Sequence, residues 1–275
     1  MLFVLKALTL FYLCSKSFLI MAETEENKVQ VNNTNNTNNN SNNRRAVVVG
    51  STGATGRQVV KILLKRNWEV ITVSRRLFDY EINQEEQTKL TQIQSDFSDT
   101  ENLIEKWKGS HALFNCLGTT RGQAGSAEQF VHVEVGLTKI VNDIAKKSDI
   151  FHVGVVSAQG ANKDMWVPTI YIHPLLYIRT LGEKQQSVID TKFPSTTIFQ
   201  PGMLNRLVGD RGVENFFINL LPSLRVDVLA EAMIIDAEKN LDTLSQECKN
   251  SNDENYQPKV TFFEGNDAIT RIVHP

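Results

Sequence analysis

Cysteine is scarce in this chain: only Cys14, Cys116 and Cys248, far apart in sequence. That number and spacing exclude a disulfide framework and a zinc site of paired cysteines, and point to a reducing compartment for the folded part. An excess of charge is also lacking. Lys and Arg total 29 against 31 Asp and Glu, a net charge of −2, so neither a nucleic-acid partner nor an acidic disordered chain is expected. The five histidines, His111, His132, His152, His173 and His274, are scattered without ligand spacing, and no metal is expected. No internal repeat is visible.

The chain also lacks an uninterrupted apolar run of membrane-spanning length. Residues 1–22 hold the short apolar stretch Ala7 to Leu13 between Lys6 and Lys16. They read either as a signal or anchor leader or as sequence upstream of a start at Met21. A membrane partner follows only if that leader is retained as an anchor. Residues 23–43 turn into a tract of almost pure Asn with Thr and Ser, a composition that cannot bury apolar surface and is expected to be a disordered spacer. Residues 44–275 are expected to form one folded domain.

What is present begins abruptly after Arg44. Ala46-Val47-Val48-Val49 is an apolar run suited to a strand covered on both faces. A glycine-rich turn follows, then a helical pattern to Arg66 with Val59, Val60, Leu63 and Leu64 on one side, then a second apolar strand at Val70 to Val73. Further strands are expected at 90–95, 112–117, 150–157, 196–199 and 260–263. Helices are expected at 100–108, 127–147 and 174–190. Alternating strands and helices over this length indicate an α/β fold, a doubly wound parallel-sheet Rossmann domain.

The turn is Gly50-Ser51-Thr52-Gly53-Ala54-Thr55-Gly56. Between a buried strand and a helix, glycines make the sharp turn, let backbone approach a pyrophosphate and let helix pack on strand. The helix N-terminus then offers free N–H groups to phosphate. The second strand ends Ser74-Arg75-Arg76, with no carboxylate to take a ribose 2′-hydroxyl. Two guanidiniums suit a 2′-phosphate, so NADP(H) is the expected cofactor. Asp96 ends the third strand, with Phe97 beside it. Asp96 is read either as an acceptor for the adenine amino group or as a turn or helix-capping aspartate.

The turn, Ser74-Arg75-Arg76, the segment CLGTTRGQAG at 116–125, VSAQGA at 156–161, FQPGML at 199–204 and FFINLLPS at 216–223 together resemble the atypical short-chain dehydrogenase/reductases. Among these, the chain is most similar to the Tat-interacting-protein oxidoreductases. The resemblance covers essentially all of 45–275. It implies an NADP(H)-binding oxidoreductase acting on a small carbonyl compound, with Leu117, Gly118 and Thr119 along the nicotinamide ribose and Pro201 and Gly202 at the nicotinamide end. It also implies that residues 203–275 are a small substrate-side region, and it brings protein partners and regulatory roles. With the cysteine content, it points to the cytoplasm. A fungal branch of the family sits at mitochondria, and residues 1–22 leave a secretory or organellar route as the alternative.

Short-chain dehydrogenases use a tyrosine acid/base, a lysine four residues later and an earlier serine. The lysine charge lowers a tyrosine pKa that otherwise lies near 10. Here the matching residues are Ser157 and Tyr177, but the lysine position holds Leu181. Lys184 lies two turns from Tyr177, about 10 Å along a helix axis. Tyr171 has Leu175 four residues on and serves no better. The second expectation is therefore a catalytically weak or inactive NADP(H)-binding regulator acting through protein partners.

Overall fold

The computed structural model describes residues 44–167, 173–205, 223–250 and 257–275. The expected leader and spacer, Tyr171 and most of FFINLLPS lie outside the described residues. Of the two units into which the chain divides, the first comprises residues 43–241 with 258–275. The sheet and its two cores belong to the first.

In chain order the elements are β1 (Arg45–Val49), α1 (Ala54–Lys65), β2 (Glu69–Ser74), α2 (Gln84–Thr88), β3 (Leu90–Gln94), α3 (Thr100–Trp107), β4 (Ala112–Asn115), α4 (Arg121–Ala124), α5 (Ala127–Val131), a π-turn (His132–Gly136), α6 (Leu137–Lys147), β5 (His152–Val156) and α7 (His173–Thr191). They are followed by β6 (Ser195–Gln200), β7 (Leu204–Asn205), β8 (Leu224–Arg225), α8 (Val226–Asn250), β9 (Lys259–Glu264) and α9 (Gly265–Val273). Seven strands form one sheet in the order β3-β2-β1-β4-β5-β6-β9, and every pair in it is parallel. This is the doubly wound α/β sheet expected. β7 and β8 pair separately.

β1 shows why the strands are apolar throughout. Ala46 and Val48 face a core built with Val59, Val60, Leu63 and Leu64 of α1 and with Leu229, Ala230, Met233 and Ile234 of α8. Val47 and Val49 face the opposite core, with Leu103, Ile104 and Trp107 of α3 and Val141, Ile144 and Ala145 of α6. Both faces of the strand are covered, so alternation disappears. The C-terminal stretch thus supplies α8 to one face of the sheet and β9 to its edge. Among the described residues, no helix is long and apolar enough to cross a membrane.

One element departs from its expected pattern. Ala127 to Lys147 is not a uniform α-helix, because the π-turn at His132–Gly136 interrupts it. The wider turn rotates the buried face: Glu134, Val135 and Thr138 are buried, while Val133 and Leu137 are only partly so.

Candidate functional site

After β1 the chain runs outward through β2 and β3 and then returns to place β4 on β1's other side. The carboxyl ends of β1 and β4 are therefore the switch point where loops diverge and ligands enter such sheets. The glycine turn and residues 116–119 meet there. Gly50 has φ +70°, and a Cβ on it would fall 2.4 Å from the Cys116 carbonyl. On Gly56 a Cβ would strike the Gly50 oxygen at 2.3 Å. These two glycines are required by close backbone contact. Gly53 is exposed; it caps α1 with no side-chain hydrogen bond to the first-turn amides. Ser51 is buried, and Thr52, Ala54 and Thr55 are half-buried around it. A helix N-terminus left open beside a backbone cradle is suited to an anion such as a pyrophosphate.

At the end of β2, Ser74 is half-buried, while Arg75 and Arg76 are exposed. Their loop is held by backbone capture. Ser74 Oγ donates to the Arg76 carbonyl at 2.6 Å, and Gln94 Nε2 donates to that of Arg75 at 3.1 Å. The sequence reading missed Arg57, whose guanidinium lies over the Phe78 ring at 5.4 Å, beyond the two arginines in this loop. Its only sequence signal is that it directly follows Gly56.

Asp96 is exposed and makes a local turn, its Oδ1 accepting from Ser98 N and Ser98 Oγ at 3.0 and 2.6 Å. The Ser98 hydroxyl holds its carboxyl below the usual aspartate range. The helix cap is Asp99 instead. Phe97, with φ +70°, buries its ring in the core on the α3–α6 side.

The loop after β4 is tied down at several points. Leu117 N donates to Asn115 Oδ1 at 3.1 Å, and Thr119 N donates to Glu134 Oε1 at 2.8 Å. Gly118 between them is exposed. Burial pushes the Cys116 thiol up to about 12. On the far side, Gln159 N donates to the Pro201 carbonyl at 2.9 Å, and Gly202 N donates to Asn266 Oδ1 at 2.9 Å.

The residues expected to carry acid/base chemistry are arranged differently from the glycine turn. Ser157 follows β5 and is buried. Gln185 Nε2 donates to its Oγ at 2.7 Å, which leaves the serine proton to be donated elsewhere. Tyr177 is half-buried, stacked on Phe130 at 6.1 Å in an apolar group with Leu176 and Val167. Leu181 is 3% exposed, a packed residue. Lys184 is 1% exposed and turned away from solvent. Its ammonium donates to the Leu117 carbonyl and to Glu134 Oε2, the latter at 3.0 Å. Glu134 and Gln185 were not singled out from sequence. Glu134 did leave one signal, an acidic residue four positions after Phe130 on an otherwise apolar helix face.

Comparison with known proteins agrees with this architecture. Residues 50–212 match a protein family described as NAD(P)H-binding. The chain is 34% identical over 179 residues to the protein FMP52, mitochondrial, of Lodderomyces elongisporus, spanning 63% of this chain and 71% of that one. It is 30% identical over 159 residues to HTATIP2 of Rattus norvegicus, spanning 57% and 61%. Among solved structures, a UDP-glucose 4-epimerase from Brucella ovis in complex with NAD shares the fold, with a TM-score of 0.59, 13% identity and coverage of 84% and 81%.

The names of the fungal relatives overturn the expected cytoplasmic location. The matches from Lodderomyces, Scheffersomyces, Debaryomyces and Meyerozyma are all named mitochondrial. Scarce cysteine reports only a reducing environment and does not distinguish compartments. From the turn, the sheet order and these matches together, the chain belongs to the NAD(P)H-binding, HTATIP2-like branch of the atypical short-chain dehydrogenase/reductases.

Proposed function

We propose that this protein binds NADP(H) and reduces a small carbonyl compound. The observation that carries the reading is the open N-terminus of α1 at a turn where added Cβ atoms would collide with backbone. Exposed Arg75 and Arg76 stand at the end of the next strand. In this reading Gly50 to Gly56 hold the pyrophosphate, and Ser74, Arg75 and Arg76 take the 2′-phosphate. Asp96 borders the adenine end. Leu117, Gly118, Thr119, Pro201 and Gly202 border the nicotinamide end.

The bound cofactor would supply hydride to the carbonyl carbon. Ser157, with its oxygen engaged by Gln185, donates its proton in a hydrogen bond to the carbonyl oxygen. Tyr177 delivers the proton that the reduced oxygen takes up. Leu181 offers no cation to lower the tyrosine pKa, so turnover at neutral pH is expected to be slow. That packed leucine favours a second reading, an NADP(H)-binding regulator that acts through protein partners.

Calorimetry with NADPH and NADH tests the cofactor assignment. The Arg75→Ala/Arg76→Ala variant should lose about 1.5–3 kcal/mol for NADPH and little for NADH. Equal wild-type affinity for the two would defeat it. Single-turnover oxidation of bound NADPH by a panel of aldehydes, ketones and quinones separates the two readings, since tight binding with no oxidation selects the regulator. We also propose a mitochondrial location, on the names of the fungal relatives. Fractionation of cells expressing the full chain checks it, and exclusion from mitochondria would refute it.

A further inference from the structure

We propose that Lys184 and Glu134 form a buried positioning device that sets the Leu117–Thr119 backbone for the nicotinamide half of the cofactor. This rests on the NADP(H) reading above. The pair is almost fully buried, with side chains 1% and 4% exposed and Nζ to Oε2 at 3.0 Å. Desolvating two charges is expensive, and such a pair is seldom a net gain over apolar packing. Its bonds show what it does instead. Glu134 accepts from Thr119 N through Oε1 and from Lys184 through Oε2, and Lys184 donates a second hydrogen bond to the Leu117 carbonyl. Two charges thus grip both ends of a three-residue segment whose middle, Gly118, is exposed.

Three elements that are distant in sequence converge on this grip. The segment follows β4 at the switch point, against the glycine turn, where a Cβ on Gly50 would lie 2.6 Å from Leu117 N. Glu134 comes from the π-turn, a wider turn of the kind often found at functional sites. Lys184 comes from α7, one turn beyond Leu181. The helix therefore retains a lysine that acts on the loop backbone. Lys184 is a positioning residue.

The test is calorimetric titration of the full chain with two probes, NADPH and adenosine 2′,5′-bisphosphate, which lacks the nicotinamide half. Lys184→Met should weaken NADPH about tenfold or more and leave the bisphosphate within about twofold. A variant that is merely less stable would weaken both probes or neither, and either result overturns the proposal. If Lys184→Met does not fold, Glu134→Gln serves. It keeps an oxygen for Thr119 N and removes the charge that holds Lys184, and it should show the same selective loss at several-fold. Unchanged NADPH affinity in that variant overturns the proposal. Failure of the wild type to bind either probe would instead refute the cofactor reading, and this inference with it.

Discussion

The two ends of the parallel sheet each bury a polar cluster, and the clusters are built to different standards. At the carboxyl ends, Lys184, Glu134, Gln185 and Ser157 are joined to one another or to the backbone of the switch-point loop. At the amino ends, His152 begins β5 and Ser195 begins β6, with His152 Nδ1 and Ser195 Oγ 3.0 Å apart. Asp236 of α8 lies 3.7 Å from His152 Nε2, and among the described residues neither His152 Nε2 nor Asp236 Oδ2 has a hydrogen-bond partner. By residue type the second cluster is a serine, a histidine and an aspartate, the set used by many hydrolases. Geometry denies it that role, because the aspartate is beyond hydrogen-bond reach and no group in the trio is more than slightly exposed. Residue types in contact do not by themselves make a site; position at the loop-bearing end and completed bonds are what set the carboxyl-end cluster apart.

The largest expected effect tests whether the carboxyl-end cluster is the more tightly coupled. Lys184→Met leaves Glu134 charged and buried, and should cost about 3–5 kcal/mol in urea unfolding. Adding Glu134→Gln removes the stranded charge and should restore more than half of the loss. A double variant whose loss equals the sum of the two single-variant losses would break the comparison, since the two charges would then be acting independently.

The next effect sharpens the description of the amino-end cluster. Burial, with Lys259 nearby, lowers the His152 pKa from 6.5 to about 3. Between those values only the unfolded chain takes up the proton, so the stability present above pH 6.5 is lost as pH falls toward 3. Burial raises the Asp236 carboxyl, and its protonation acts in the opposite direction over acidic pH. Wild type should lose about 2 kcal/mol more than His152→Gln between pH 7 and pH 5. Parallel stability curves over that range would show that His152 is not held neutral.

The smallest effect concerns one bond. Gln185→Leu removes the donor to Ser157 Oγ at similar volume, and should cost about 1 kcal/mol in chemical denaturation. A loss above about 3 kcal/mol would place Gln185 in a larger network than its single bond to Ser157 indicates.

The fold was largely legible because its signals are local. β1 reads as a strand covered on both sides from four consecutive apolar residues, and Gly50 and Gly56 read as a turn from their spacing alone. The site was legible in part. Its cofactor loops could be named, but Phe97 lies in the core, and the expected face of the 127–147 helix is shifted by the π-turn. No periodicity marks an extra residue in a turn, because the apolar spacing on either side of it remains helical.

The amino-acid sequence by itself determined the strand-turn-helix unit, the pair of arginines after β2, a leucine four residues after Tyr177 and the family. Each is carried by residues within a few positions of one another, where backbone geometry alone sets the relation. Tertiary structure alone decided that Lys184 meets a carboxylate 50 residues away and a carbonyl 67 residues away, that Gln185 meets the Ser157 hydroxyl, and that Ser195, His152 and Asp236 gather at the amino ends of β5 and β6. Those relations depend on which helix faces pack together, and packing brings together residues that no local pattern connects.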